Sequence, residues 1–199
     1  MRTKNRKNLL IIFFLFFFVF NFDLSAEEFN ITAKEILIDK ENEILVGKGS
    51  VTADDSEGRV IKADKITYEK LREFLLAEGR VRITDIEGNI LTADRATYDK
   101  INNVIITYDN TELILKEGYK LISKNITYNT NKKILSSNDN SIFNDSDGNI
   151  VETSMFQYPI ESNLFSSIGK IKITDIKKNK YFFICVVSDV FWYKFITFF

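Results

Sequence analysis

The chain has 199 residues, of which 27 are basic and 28 acidic, and its formal net charge is −1. A chain of this length can bury one ordinary hydrophobic core. The near-neutral charge, with no basic face, argues against a nucleic-acid-binding protein. The single cysteine, Cys185, cannot form an intramolecular disulfide, and there is no histidine.

The first 26 residues have the pattern of a secretory signal peptide. Four basic residues between positions 2 and 7 precede an apolar run at 9–20, and Leu24, Ser25 and Ala26 follow. A basic start, a short apolar run and small residues at the cut are typical of exported proteins. The run has 12 residues, whereas a membrane-spanning helix needs roughly 20. We expect cleavage after Ala26; an uncleaved membrane anchor is the alternative.

A 30-residue repeat organises most of the remaining chain. Tyrosines recur at this spacing, at Tyr68, Tyr98, Tyr128 and Tyr158. Glycines do the same, at Gly58, Gly88, Gly118 and Gly148. A second glycine column contains Gly49, Gly79 and Gly169, with Asp109 and Asp139 in its gaps. The best-matched segments are GRVIKADKITYEK at 58–70 and GNILTADRATYDK at 88–100. Residues 29–48 form a partial first copy, which makes about five units in all.

Each unit has the pattern of antiparallel β-strands joined by turns. Apolar and polar residues alternate, as at Val81 and Ile83, which is typical of a half-buried strand. Asp-x-x-Gly sequences, such as 85–88, favour a turn because Asp accepts local backbone hydrogen bonds and Gly adopts positive φ. A second turn follows the tyrosine column. The sequence therefore predicts an all-β fold of about 11–15 antiparallel strands.

The apolar residues change parity within a unit. Ile61 and Ala63 share one parity, whereas Ile66 and Tyr68 have the other. A strand that keeps one face buried through such a change needs an extra residue, which is a β-bulge. We place the bulge at 64–65 and its repeat at 94–95, and we expect the sheet to bend there. The pattern alone does not distinguish a filled structural solenoid from an open groove, and it favours neither.

The recurring Ala-Asp-x-(Ile/Ala)-Thr-Tyr-(Glu/Asp)-Lys, followed by an apolar triplet and Glu-Gly-x-Val, resembles the OstA-like domain. That domain is shared by the lipopolysaccharide transport proteins LptA and the periplasmic N-terminal part of LptD. The resemblance covers residues 29–178 and implies an open antiparallel β-jellyroll, in which two bent sheets form a V around an apolar groove. It implies a non-enzymatic protein that binds lipopolysaccharide, or its lipid A part, in the periplasm. It also implies a role in lipopolysaccharide transport and outer-membrane assembly, with possible association with that membrane.

The resemblance makes the inward-facing apolar positions candidates for lipid contact, although plain core packing would explain each of them equally well. The tyrosine hydroxyls could also bond a neighbouring strand or lie at the wet rim of the groove. The candidate groove residues are Ile36, Ile38, Ile66, Tyr68, Val81, Ile83, Ala96, Tyr98, Leu113, Leu115, Ile126 and Tyr128.

An open jellyroll leaves unpaired backbone groups on its first and last strands, and such edges recruit other chains. We expect one edge at 29–39 and the other near 171–176 or further on. The family's end-to-end joining then implies self-association, or a complex with other OstA-like proteins. A structural repeat protein of the cell surface, in the manner of an adhesin, is the alternative function.

The repeat weakens towards the C-terminus. Phe156 and Gln157 replace the usual residues in the fourth unit, and Pro159 follows its tyrosine. We expect the domain to span 27–180. The apolar tail at 181–199 lacks the repeat, and we interpret it as a truncated or frame-disturbed end of a longer, LptD-like chain. A membrane-touching or partner-docking strand is the alternative for this tail.

The sequence offers little for catalysis or metal binding. There is no histidine to act as a base, no G-x-S-x-G and no phosphate-binding loop. Acidic clusters at 54–57 and 145–147 end in the glycine of a turn and lack a calcium-loop pattern. We therefore expect no cofactor, no metal and no enzymatic activity.

Overall fold

A computed structural model describes residues 29–161 and 165–185. These residues form thirteen strands and a single 3-10 turn at Lys70–Arg72. The strands are β1 (Asn30–Thr32), β2 (Glu35–Asp39), β3 (Ile44–Asp54), β4 (Val60–Glu69), β5 (Phe74–Thr84), β6 (Ile90–Asp99), β7 (Val104–Ile114), β8 (Lys120–Asn129), β9 (Ile134–Ser137), β10 (Ser141–Asn144), β11 (Ile150–Pro159), β12 (Ser166–Thr174) and β13 (Lys180–Cys185). Within these two ranges, no helix is long and apolar enough to cross a membrane.

All pairings are antiparallel, and the strands form one continuous sheet in nearly sequential order. β1 and β2 both pair with β3, so together they act as one interrupted edge strand. β9 and β10 likewise lie together between β8 and β11. The predicted all-β, open antiparallel fold is confirmed, and the strand count falls within the predicted range.

The strands form where the sequence alternates. In β5, Leu75, Ala77, Val81 and Ile83 are buried, whereas the residues between them are partly or fully exposed. The following turn depends on Asp85, whose Oδ1 accepts hydrogen bonds from the backbone N–H of Glu87 (3.0 Å) and Asn89 (2.9 Å). Asp55 and Asp145 act in the same way. The acidic clusters are thus built into turns.

The parity change in β4 is present, but the extra residue lies in a different strand from the one expected. Lys48 pairs with Lys65 and Val51 with Ala63, so that Gly49 and Ser50 in β3 face Asp64 alone. The same arrangement places extra residues at 79–80 in β5, 109–110 in β7 and 169–170 in β12. The predicted bulges at 64–65 and 94–95 are corrected accordingly: those segments are the partners of the bulges.

Backbone sterics explain why the bulges follow the second glycine column. Gly79 has φ of +77° and Arg80 has φ of +47°. A Cβ on Gly79 would lie 2.5 Å from a carboxylate oxygen of Asp64 in the neighbouring strand. Glycine therefore suits this position for both its backbone conformation and its lack of a side chain.

The bulges fold the sheet over on itself. Asp85 and Asn89 come from a turn at one end of the strands, and Thr130 and Lys133 from a turn at the other end, yet all four line one cavity. The parts of the sheet on either side of the bulges form two arms, and these arms enclose the buried hydrophobic cluster. We call the line of the bulges the crease.

The sheet runs past the expected boundary at residue 180, because β13 continues to Cys185 and pairs with β12. The C-terminal edge of the described sheet is therefore β13, and the segment 171–176 expected near that edge is mainly in β12, one strand inside it. The N-terminal edge at β1 and β2 lies where it was predicted. The predicted signal peptide at 1–26 and the rest of the tail, 186–199, lie outside the described residues.

Candidate ligand groove

A cavity of about 260 Å³ lies between the two arms in the middle of the sheet. A cavity volume of about 10–15 Å³ suffices for one water molecule, so the cavity has room for a ligand fragment. Its deep walls are aliphatic side chains with exposed fractions of 9% or less. They are Ile83, Leu91, Ile105, Leu113, Leu115 and Leu135. We call this space the central cavity.

The mouth of the central cavity is polar and charged. Glu57, Glu87, Lys133 and Glu161 are exposed at its rim, and Asp85 lies just inside them. A deep apolar floor and a polar rim suit an amphiphile, because its chain leaves water while its headgroup stays hydrated.

An aromatic group closes the central cavity towards the N-terminus. The Phe29 ring packs edge-on against Tyr68 and Tyr98, with centroids 5.3 and 6.0 Å apart. The guanidinium of Arg59 lies 4.8 Å from the centre of the Tyr98 ring and also lines the central cavity. We call Phe29, Arg59, Tyr68 and Tyr98 the N-terminal plug.

Tyr98 is the most buried part of the plug, with 1% of its surface exposed. Its hydroxyl has no hydrogen-bond partner of normal geometry. Burial raises the pKa of Tyr98 to about 12, and the nearby charge of Arg59 opposes that rise only in part. Arg59 itself is held by Asp55, whose Oδ2 lies 2.8 Å from Nε, and by Glu57.

A second cavity of about 330 Å³ lies on the far side of the plug, at the N-terminal edge of the sheet. Phe29, Ile38, Leu45 and Tyr68 form its apolar wall. Phe29 and Tyr68 thus line this edge cavity, whereas Arg59 lines the central one. The plug separates the two spaces.

The C-terminal part of the interior is filled. Only about 10 Å³ remains among Tyr119, Phe143, Phe156, Tyr158, Phe165 and their aliphatic neighbours. Phe156 and Phe165 stack with centroids 5.5 Å apart, and Tyr119 stacks on Phe143 at 5.7 Å. The remaining space is at the lower limit for one water molecule. We call these five residues the aromatic cluster.

The inner side of the crease also differs along the sheet. In β4 to β6 it is lined by alanines, including Ala63, Ala77 and Ala93. From β7 onwards hydroxyl residues take these places, and they bond one another or the backbone. Thr111 Oγ1 donates to Thr107 Oγ1 at 2.9 Å, and Ser141 Oγ donates to Ser123 Oγ at 2.9 Å. Small side chains therefore let the two arms approach each other at the crease, both in β4 to β6 and from β7 onwards.

The structure divides the twelve predicted groove residues into four groups. The central cavity is lined by Ile83, Leu113, Leu115 and Tyr128. The edge cavity is lined by Ile38 and Tyr68. The buried core holds Ile66, Val81, Ala96, Tyr98 and Ile126, which line neither cavity. Ile36 is exposed, and it too lines neither of them.

The exposure of Ile36 (43%) and Ile38 (64%) has a simple cause. β2 is an edge strand that pairs with β3 only, and β2 contains no buried residue. The repeat pattern continues into β2, so the sequence alone could not distinguish these isoleucines from buried ones.

Several lining residues were not predicted. Leu91, Ile105 and Leu135 belong to the same alternating pattern as the predicted residues, and extending the parity rule to every strand would have found them. Arg59 could not be found in this way, because it stands in a mostly polar column that holds Asn89, Tyr119, Asn149 and Asn179 in other units. Its inward direction follows from its contact with Tyr98.

The fold is that of an open antiparallel β-jellyroll of the LptA type. A crystal structure with this fold is that of LptH from Pseudomonas aeruginosa, described as the LptA homologous periplasmic component of the conserved lipopolysaccharide transport device. It matches with a TM-score of 0.50 and 15% sequence identity, over 55% of this chain and 80% of that one. No protein-family model matches the chain, and no curated protein matches it. At this identity the likeness concerns the fold.

Proposed function

We propose that this protein is a non-enzymatic lipopolysaccharide carrier that works in the periplasm, in transport to the outer membrane. The observation that carries the proposal is the central cavity, an apolar space with a charged rim in a fold shared with a periplasmic transport component. An acyl chain exposed to water costs about 0.8 kcal/mol per methylene, or on the order of 10 kcal/mol for twelve carbons. Shielding even part of one chain would offset much of that cost.

Binding of purified lipopolysaccharide, measured by a fluorescent-lipid displacement assay, tests this proposal. The variant Leu91→Phe places a larger side chain in the wall of the central cavity and should weaken binding about tenfold. Ile122→Phe is the control, because Ile122 is partly exposed on the other face of the sheet. No binding by the wild type would favour a structural repeat protein instead, and equal binding by both variants would contradict the central cavity as the binding site.

We further propose that the protein joins other OstA-like proteins, or copies of itself, through its edge strands. β2 exposes Ile36, Leu37 and Ile38, and β13 exposes Tyr181, Phe182 and Phe183. Neither strand contains proline, the residue that most directly blocks strand addition. Pairing of two unlike edges is heterologous, so it can propagate into rods.

Ile36→Pro and Leu37→Pro together test the edge model, because neighbouring residues in a strand point their N–H groups to opposite sides. One substitution should remove the outward donor and reduce association in analytical ultracentrifugation, while the other weakens the pairing with β3. A protein that stays monomeric at high concentration and ignores other OstA-like domains would contradict the model. A free LptA-like bridge and an LptD-like N-terminal domain are both compatible with it.

A further inference from the structure

The rim of the central cavity carries more negative than positive charge. Four carboxylates and two cations line the cavity, which gives a formal net charge of −2. Both cations already have acidic partners within the protein. Arg59 pairs with Asp55 and Glu57, and Lys133 Nζ lies 3.1 Å from a carboxylate oxygen of Glu161. Little positive charge is left for an anionic headgroup.

Asp85 and Glu87 supply the unbalanced charge. Asp85 accepts hydrogen bonds from the backbone of its own turn and from the Asn89 amide at 2.7 Å, and these bonds hold the carboxylate in place. Neither carboxylate has an ion-pair partner in the described ranges, 29–161 and 165–185. Any headgroup at the rim would therefore meet these two charges.

The negative field extends into the cavity. Burial is the first cause that raises the pKa of the Tyr128 hydroxyl, and the charge of Asp85 is the second. Glu87 and Glu57 act in the same direction, and Arg59 opposes them. The edge cavity behind the plug differs, because its acidic residues Asp39 and Glu43 are balanced by Lys40 and Lys70.

We propose that the central cavity selects amphiphiles whose headgroup carries ammonium groups over those with bare phosphate. This inference rests on the proposed function and narrows its substrate class. A phosphate monoester carries about −1.5 to −2 charges at pH 7, so it is repelled by Asp85 and Glu87. An ammonium group can instead bind between them while its chain occupies the aliphatic floor. Among lipopolysaccharides, forms whose phosphates are masked by amine-bearing groups fit best.

Three probes with the same twelve-carbon chain test the selection: dodecyltrimethylammonium, dodecyl phosphate and dodecyl maltoside. Their affinities are measured by calorimetry on the full protein, below the micellar concentration and at low salt. The ammonium probe should bind about tenfold more tightly than the phosphate probe. Raising the ionic strength should reduce this ratio, since salt screens exposed charges.

Two variants locate the source of the selectivity. Glu87→Gln should halve the logarithm of the ratio between the ammonium-probe and phosphate-probe affinities. Asp85→Asn combined with Glu87→Gln should bring that ratio close to one. Glu117→Gln is the matched control, because Glu117 is exposed at the same turn position one repeat later but does not line the central cavity. It should leave the ratio unchanged.

The outcomes separate this inference from the proposed function. Maltoside binding together with equal affinities for the two charged probes, or with a preference for phosphate, would overturn the inference alone. A preference for ammonium that survives the double variant would overturn it as well. Failure of all three probes to bind would overturn the proposed function and the inference with it.

Discussion

The middle and the C-terminal part of this sheet share one backbone plan but differ inside. Leu91 and Leu121 occupy the same position in successive repeats and are 7% and 4% exposed. Leu91 faces the central cavity of about 260 Å³, whereas Leu121 faces a space of about 10 Å³ in contact with the aromatic cluster. Each leucine is the second residue of its strand and pairs with Leu113 of β7. The other neighbour of Leu121 is the interrupted pair β9 and β10, whereas that of Leu91 is the full-length strand β5.

The side chains that line the interior decide here whether the jellyroll is open or filled. Between the arms, the middle has aliphatic residues, while the C-terminal part has Phe143, Phe156 and Phe165. Aromatic side chains bury about 150–250 Å² each, so a few of them close the space. A groove and a solid core therefore coexist in one sheet.

Truncation of the two leucines should give the largest difference between the regions. Leucine-to-alanine changes in a core cost about 2–5 kcal/mol, and the cost rises with the cavity left behind. Leu121→Ala should lie near the upper end, because its neighbours are packed on all sides. Leu91→Ala should lie near 2 kcal/mol, because one side already faces open space. Urea unfolding of both variants measures the difference, and equal losses would contradict the account.

Enlargement of the same leucines should give a smaller and complementary effect. Overpacking a filled core costs about 1–3 kcal/mol, so Leu121→Phe should be destabilised by that amount. Leu91→Phe has room to extend into the central cavity and should lose less than about 1 kcal/mol. The same urea titrations apply. A Leu91→Phe variant as unstable as Leu121→Phe would show that the central cavity closes in solution.

The N-terminal plug should give the smallest effect, confined to high pH. The pKa of Tyr98 is raised from 10.0 to about 12 in the folded protein. Its neutral hydroxyl therefore contributes stability that is present below pH 10 and is lost as the pH rises through about 12. Tyr98→Phe should remove that part of the pH dependence and cost little at pH 7, because the hydroxyl has no hydrogen-bond partner of normal geometry. Unfolding free energies at pH 8 to 11 test this, and an unchanged pH slope in the variant would argue against a buried Tyr98 hydroxyl.

The periodicity of the sequence was sufficient to predict most of the fold. The Tyr68 and Gly58 columns identified the repeat and its turns, and the parity change at Ile66 located the crease. The strand that carries the extra residue was not predictable, because a bulge is a relation between two strands and the pattern of β4 describes only one. Gly79 was the available signal for the bulged strand, since glycine adopts the positive φ of a bulge without steric strain.

The candidate site was predicted less well, for physical reasons. Alternation tells which side chains point inward, as for Ile83 and Ile126, but it does not tell what stands opposite them. Ile83 faces open space and Ile126 faces packed neighbours, although both were predicted to be groove residues. That difference depends on which residues of the other arm meet them, and this is fixed only when the sheet folds at the crease.

The most direct test of the account is methyl NMR on isoleucine-labelled protein titrated with lipopolysaccharide in mild detergent, without any substitution. The signals of Ile83, Ile105 and Ile160, which line the central cavity, should shift or broaden. Those of Ile61, Ile66 and Ile126, buried at 0–1% exposure and lining neither cavity, should stay in place. Equal changes in both sets, or changes in the second set alone, would contradict an open middle beside a filled core.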